Sequence, residues 1–338
     1  MNLIEMVKAA GVVGAGGAGF PTHVKLNTNV EYFIVNAAEC EPLIETDKYL
    51  CRTFADRIIR TIPQIAEAIG ASKKVIALKG AYEKEIAALK VAIREQNSDV
   101  EIFELGYFYP AGDEQTLIQQ VTGRCVPERG LPSDVGCVVD NVGTVLNIAD
   151  ALEGKAVTEK YLSVVGEVEH PIQLRVPIGT PVLECVKAAH PTVSDFALIM
   201  GGPMMGKQLT EQAAMEQAVV TKTTGNILVL PKDHYLFRKA SLPMETVRKQ
   251  TKSACLQCKM CTELCPRYLI GHQIHPNLMM RGLWLEPTIT DNEEYLRMYG
   301  EAANCCSCGV CEMFACPMGL SPRKVNDYFK AEFRKRGI

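Results

Sequence analysis

The sequence predicts a multidomain chain of α/β, α+β and α parts, and three observations carry that reading. Across residues 1–157, short apolar or β-branched runs alternate with helical stretches, the pattern of a sheet with helical crossovers. Across 158–235, a close pair of strand runs is followed by one helix and further strands, which suits a small α+β module. From 240 to 338 the segments read as helical and hold nine of the chain's fourteen cysteines.

Within the first domain the runs 33–37, 75–78, 100–105 and 135–139 have the length of buried strands. A helix is expected over 56–69, with Ile58, Ile59, Ile62, Ile65 and Ile69 on one face and a kink at Pro63. A second covers 83–96, with Ile86, Leu89 and Ile93 inward. Strand 75–78, helix 83–96 and strand 100–105 form a βαβ unit, so the sheet is expected to be parallel.

Gly14-Ala15-Gly16-Gly17-Ala18-Gly19-Phe20-Pro21 fits G-x-G-x-x-G. A dinucleotide fingerprint follows a strand and opens a helix. Here the loop follows a helical run and leads into proline, so a plain turn and a cofactor loop of another kind both stand. Five glycines between 11 and 19 leave bare amides for a phosphate or a flat ring, which favours the cofactor loop. Asn36–Pro42, Tyr109–Glu114 and Asp140–Thr144 sit at or near predicted strand ends. Each alone could be helix capping. Together with the glycine loop they point to a ligand crevice at the carboxyl ends of a parallel sheet.

In 158–235, strands are expected at 161–165, 172–177, 196–200 and 227–230, with Thr180 capping a helix whose first residue is Pro181. Gly201–Gly206 (GGPMMG) reads more readily as a structural turn than as a ligand loop. His170 and His190 precede prolines and read as loop residues.

The last domain holds Cys255-x2-Cys258-x2-Cys261-x3-Cys265-Pro266 and Cys305-Cys306-x-Cys308-x2-Cys311-x4-Cys316-Pro317. A triplet at this spacing wraps one face of an iron–sulfur cluster, and in two-cluster ferredoxins the Cys-Pro cysteine serves the other cluster. Cys255, Cys258, Cys261 and Cys316 are therefore expected to hold one [4Fe-4S] centre, and Cys265, Cys305, Cys308 and Cys311 the second. Structural zinc more often uses separated Cys-x2-Cys pairs. Cys306 adjoins a ligand and could replace Cys305, although the x2-x2 spacing favours Cys305. His272 and His275 lack an identifiable ligand set and read as structural or solvated.

A length of 338 residues, 47% hydrophobic content and a net charge of −3 describe a soluble globular chain and argue against nucleic acid as a partner. Scattered single cysteines outside the motifs fit a reducing cytoplasm. No run approaches the roughly 18 apolar residues of a membrane span.

The segments GAGGAGFPTHVKL, NAAECEP, YPAGDE, DNVGTVLN, GGPMMG, KTTGNILVLPKDH and CPRYLIGH resemble the flavin-binding subunit of respiratory complex I and its relatives. These include the RnfC-type component of the ion-translocating ferredoxin:NAD oxidoreductase and the cobalamin reductases of propanediol-type bacterial microcompartments. The resemblance implies a NuoF-like FMN-binding α/β domain over 1–157 and an SLBB β-grasp domain over 158–235. Over 240–338 it implies an α-helical ferredoxin domain with two [4Fe-4S] clusters.

It further implies that Gly14, Gly16, Gly17, Gly19 and Lys25 hold the FMN phosphate and ring edge, and that Asn36, Tyr109, Gly112, Asp113, Asp140, Asn141 and Thr144 line the cofactor. Phe20 would stack on NADH with Glu39, Glu41 and Glu114 nearby, Glu39 and Glu114 being the catalytic carboxylates. This chain has Ala38 where the complex I protein is acidic, and Asp113 for a glutamate, which bears on nucleotide binding. The implied activity is NADH oxidation through FMN and the clusters to a corrinoid or a partner redox protein. The location would be inside a microcompartment, with its shell or an adenosyltransferase as neighbours. An Rnf-type electron-transfer component and a non-catalytic relay are the alternatives.

Overall fold

The computed structural model describes residues 1–338. They form two compact units, Met1–Arg124 with Pro132–Phe237, and Cys125–Leu131 with Arg238–Ile338. No helix is long and apolar enough to cross a membrane.

The first unit opens on a four-stranded parallel sheet of β1 (Tyr32–Asn36), β2 (Lys73–Lys79), β3 (Glu101–Leu105) and β4 (Cys137–Asn141), in the order β3-β2-β1-β4. The chain builds outward from β1 through β2 to β3, then returns to the other side of β1 with β4. The strand order therefore reverses between β1 and β4, whose last residues Asn36 and Asn141 are register partners. In open α/β sheets that reversal opens a crevice at the strands' carboxyl ends. Helix Ala55–Ala68 runs with Pro63 inside it and buries Ile58, Ile59, Ile62 and Ile65. These pack in one core with Phe33, Val35, Ile76 and Leu89.

The same unit holds a mixed sheet of β5 (Glu159–Gly166), β6 (Ile172–Pro177), β7 (Phe196–Met200), β8 (Lys207–Leu209) and β9 (Asn226–Pro231), in the order β6-β5-β9-β7-β8. Only β5 and β9 run parallel. Helix Val182–Ala188 buries Val182, Cys185 and Val186 in a core with Leu162, Val164, Leu198 and Ile227.

The expected cap at Thr180 is corrected: the helix starts at Val182 with no side-chain cap, and Pro181 lies just outside it. The Thr180 hydroxyl turns back to donate to the Pro177 carbonyl at 2.7 Å, closing the preceding turn instead. Strand β8 and the short helix Gln212–Gln217 carry too little apolar pattern to be read from sequence.

The second unit is helical. Helices Met244–Ala254, Pro276–Gly282, Asn292–Tyr299 and Pro322–Arg336 enclose Val247, Met279, Met280, Tyr295, Tyr299, Phe329 and Phe333. Tyr299 stacks on Phe329 with ring centres 4.1 Å apart. Segment 125–131 joins this unit through hydrogen bonds. His272 Nε2 meets the Val126 carbonyl at 2.8 Å, and Glu128 accepts from Gln273 N at 2.6 Å and from Asn304 Nδ2 at 2.9 Å. His275 Nδ1 lies 2.8 Å from Glu301 Oε2. Both histidines are thus bonded within the fold, in keeping with a structural reading.

Candidate functional site

The crevice between β1 and β4 gathers the glycine loop and all three strand-end stretches. The loop closes on itself, Gly14 N donating to Phe20 O at 2.9 Å and Gly19 N to Gly14 O at 3.2 Å. It is fastened from beneath at Ala15, whose amide donates to Thr144 Oγ1 and whose carbonyl accepts from Lys160 Nζ, both at 2.9 Å. At Gly17 a side chain would meet nothing within 4 Å, so the crown of the loop faces open space. Phe20, beside it, is half exposed.

Lys25 Nζ donates to Glu114 Oε1 at 2.9 Å and to Val139 O at 2.6 Å, and lies 3.8 Å from Asp140 Oδ1. Asp140 is 3% exposed, and burial pushes its carboxyl up to about 7 against the pull of Lys25. Its Oδ2 has no hydrogen-bond partner. A buried acceptor left unpaired is costly, and it marks a place where a ligand N–H fits.

Asn36 Nδ2 donates to Gly112 O at 2.9 Å, and Asn36 Oδ1 accepts from Ala38 N at 3.1 Å. Gly112 must be glycine, because a Cβ there would stand 2.9 Å from Ala38 O and 3.3 Å from Cys40 Sγ. Asp113 and Asn141 act as helix caps, accepting from Thr116 N at 3.1 Å and Gly143 N at 2.9 Å. Thr144 is fully buried and works through the glycine loop. Glu114, the first residue of its helix, is the one that pairs with Lys25.

Three groups that spacing could not reveal complete the crevice. Asp47 accepts from Asn141 Nδ2 at 2.6 Å, and burial beside Asp47 pushes the Glu39 carboxyl well up. Lys160, on β5, is buried, and its amine is pulled down to about 8 by burial although Asp47 and Glu39 oppose that shift. Met204 N donates to Glu41 Oε2 at 2.9 Å, so the GGPMMG turn is fastened to the loop after β1. A Cβ on Gly202 would fall on the Glu41 carboxylate. Glu41 Oε1 lies 3.5 Å from the Tyr109 hydroxyl.

In the second unit the eight expected thiols divide between two cavities. One is lined by Cys255, Cys258, Cys261 and Cys316, the other by Cys265, Cys305, Cys306, Cys308 and Cys311. The two runs repeat one backbone path. Gln257 (φ 52°) and Lys259 (φ 66°) are left-handed in the first, Ser307 (φ 58°) and Gly309 (φ 83°) in the second. The extra residue before Cys316 is absorbed by a π-helical turn over Cys311–Ala315, where the first run has the α-helical turn Met260–Glu263. Cys265 and Cys316 then leave in matching extended conformations, φ −71° ψ 122° and φ −81° ψ 107°.

This repeat aligns Cys305 with Cys255 and Cys306 with Leu256. Amide groups point at the sulfurs: Gln257 Nε2 at Cys255 (3.2 Å), Ser307 N at Cys305 (3.3 Å) and Leu320 N at Cys316 (3.4 Å). Burial pushes Cys261 up to about 12, helped by Cys255, Cys316 and Cys258, and pushes Cys305 up to about 12. Thiolates so crowded need a cationic group among them, and bound iron supplies that charge. The donor set fits two iron–sulfur clusters, with ligands crossing between the two runs.

Residues 7–150 match the Nuo51 FMN-binding domain, and residues 254–321 match the 4Fe-4S dicluster domain. The chain is 45% identical over 332 residues to cobalamin reductase PduS of Citrobacter freundii, covering 98% of this chain and 71% of that protein. It is 33% identical over 287 residues to the C component of the Na(+)-translocating ferredoxin:NAD(+) oxidoreductase complex of Acetobacterium woodii, covering 83% of this chain and 61% of that one. Among solved structures, a chain of an NAD+-reducing [NiFe]-hydrogenase in the H2-reduced state has the same fold. The TM-score is 0.65 and the identity 21%, over 99% of this chain and 62% of that chain. With an FMN-binding domain, a 4Fe-4S dicluster domain and near-full-length identity of this order, the chain belongs to the family of cobalamin reductase PduS.

Proposed function

We propose that the protein oxidises NADH at FMN and passes the electrons singly through two [4Fe-4S] clusters to a corrinoid acceptor, as an enzyme packed in a bacterial microcompartment. The observation that carries this reading is the division of eight thiols into two rings, each closed by the Cys-Pro cysteine of the other run. Similarity to cobalamin reductase PduS supports the acceptor. FMN supplies the exchange between a two-electron hydride donor and one-electron carriers.

The chain's own residues bind and orient. The amides of Gly16 and Gly17 and the Lys25 ammonium suit a phosphate or ring edge, and Asp140 Oδ2 suits a ligand N–H. Phe20 offers a flat apolar face to the nicotinamide nucleotide. Glu41 and Glu114 place negative charge where a ribose hydroxyl can donate and a 2′-phosphate is repelled, which favours NADH over NADPH. NADH passes a hydride, two electrons with one proton, and the neighbouring carboxylates Glu39 and Asp47 can take up the proton released when the electrons leave singly.

The division at 1–157, 158–235 and 240–338 belongs to this reading. So does the SLBB, β-grasp character of the middle module, supported by its parallel β5–β9 pair flanked by antiparallel strands and by the helix Val182–Ala188 packed in its core. An anaerobic NADH titration of the reconstituted protein tests the function. Bleaching of the flavin band together with reduced-cluster EPR signals supports it. Clusters that reduce with dithionite but not with NADH would reduce the protein to a relay, the reading that Ala38 favours.

A further inference from the structure

We infer that Asn326 tunes the second cluster by donating an amide hydrogen bond to its sulfur. This rests on the reading that the cavity ringed by Cys265, Cys305, Cys308 and Cys311 holds a [4Fe-4S] group. Asn326 lies on helix Pro322–Arg336, is 0% exposed and lines that cavity. Neither its Nδ2 nor its Oδ1 has a hydrogen-bond partner. A carboxamide shut away from water with both ends unpaired is strongly disfavoured, so its partner must be the group that fills the cavity. Thiolate and sulfide accept but do not donate, so the amide nitrogen is the end that serves them.

The near-symmetry of the two runs shows why the second ring needs this donor. In the first ring Gln257 occupies the left-handed position after Cys255, and its side-chain amide reaches the Cys255 sulfur at 3.2 Å. Asn277, which lines that first cavity, has partners of its own, its Oδ1 accepting from Thr262 Oγ1 at 2.6 Å. The residue matching Gln257 in the second run is Ser307, whose hydroxyl turns away to donate to Asp327 Oδ1 at 2.5 Å. The second ring thus lacks a side-chain donor from its own loop, and Asn326 reaches in from the last helix to supply one. A hydrogen bond to cluster sulfur stabilises the reduced, more negative state and raises the potential. Asn326 is a positioning residue for electrons, and it acts on one cluster only.

The test is a potentiometric titration followed by EPR on the full reconstituted chain, comparing wild type with Asn326→Leu. The expected result is that one of two reduction waves moves to lower potential while the other stays, with flavin content unchanged. Two clusters whose waves both stay in place overturn the proposal alone. A wild-type chain with iron and sulfide for a single cluster overturns the two-cluster reading, and the proposal with it. If Asn326→Leu does not fold, wild type labelled with ¹⁵N only in asparagine side chains decides. Pulsed EPR of the reduced signal that Cys265→Ser eliminates must show a ¹⁵N coupling, and its absence overturns the proposal.

Discussion

Met204 N donates to Glu41 Oε2 at 2.9 Å, joining a turn of the mixed sheet to the loop that follows β1. Gly202 allows this approach, since a Cβ there would fall on the same carboxylate. Gly202→Ala should therefore displace Glu41 without touching the glycine loop. A hydrogen bond to a charged group contributes about 1.5–3 kcal/mol, so KM for NADH should rise roughly tenfold or more. Bound flavin should stay constant. Steady-state kinetics beside flavin content check this, and an equal fall in flavin content would point to general damage instead.

Lys25 is the one cation that meets Glu114, the Val139 carbonyl and Asp140 together. Replacing it by methionine leaves two carboxylates facing each other with no ammonium between them. FMN affinity should fall by about 10- to 100-fold, the loss expected for a charge-assisted contact. Recovery of free-flavin fluorescence on dilution measures it.

The Asp140 carboxyl, pushed up to about 7 by burial, holds its proton more tightly folded than unfolded, where the value is about 3.9. The folded state therefore loses stability as pH rises from about 4 to about 7, and the effect is level outside that window. Asp140→Asn should remove this slope. Urea unfolding of the flavin-free protein at pH 5 and pH 7 reports it, the variant gaining on wild type at the higher pH. Parallel behaviour of the two proteins would exclude Asp140 as the source.

Lys160 is buried, donates to the Ala15 carbonyl and feels the negative charges of Asp47 and Glu39. Lys160→Met leaves that carbonyl without its donor, and a buried acceptor left unpaired costs about 1–3 kcal/mol. The first unit should melt at a distinctly lower temperature and bind FMN more weakly, while cluster iron stays. Calorimetry and iron analysis on one sample separate these effects.

Crossed ligation predicts that Cys316→Ser damages the cluster of the Cys255 ring, whereas Cys265→Ser damages that of the Cys305 ring. Cys306→Ala should leave both intact, because the repeat aligns Cys306 with Leu256. EPR of the three reduced variants decides. Retention of the second signal in Cys305→Ala, with its loss in Cys306→Ala, would reverse the ligand choice.

The parts legible in sequence were those written locally. Apolar runs found β1, β2, β3 and β4 to within two residues at each end. Strands β1, β2 and β4 are largely buried and need near-continuous apolar character, while the edge strand β3 carries exposed Glu101 and Glu104. Cysteine spacing singled out eight thiols, all of which line the two cavities, with Cys306 also lining the second. It could not say how x4 matches x3, since that depends on a π-helical turn over Cys311–Ala315. Capping and binding roles were indistinguishable in Asp113 and Glu114, which are adjacent in sequence. The fold separates them by pointing one at its own helix and the other at Lys25. Lys160 and Asp47 carried no signal, and GGPMMG gave no sign of the Met204 contact to Glu41, because each matters only through partners far away along the chain.

The exchange of cysteines between the two runs also bears on chain entropy. In the proposed two-cluster form, the first cluster would tie 255–261 to 316 and the second 265 to 305–311, one closed loop nested inside the other. Each acts as a cross-link that removes conformations from the unfolded chain, more so the longer the loop it closes. Loss of one cluster to oxidation therefore slackens the span that holds its neighbour. Redox damage at either centre would then loosen the cysteine segments first, while the apolar core around Tyr295 and Phe329 still holds the helices.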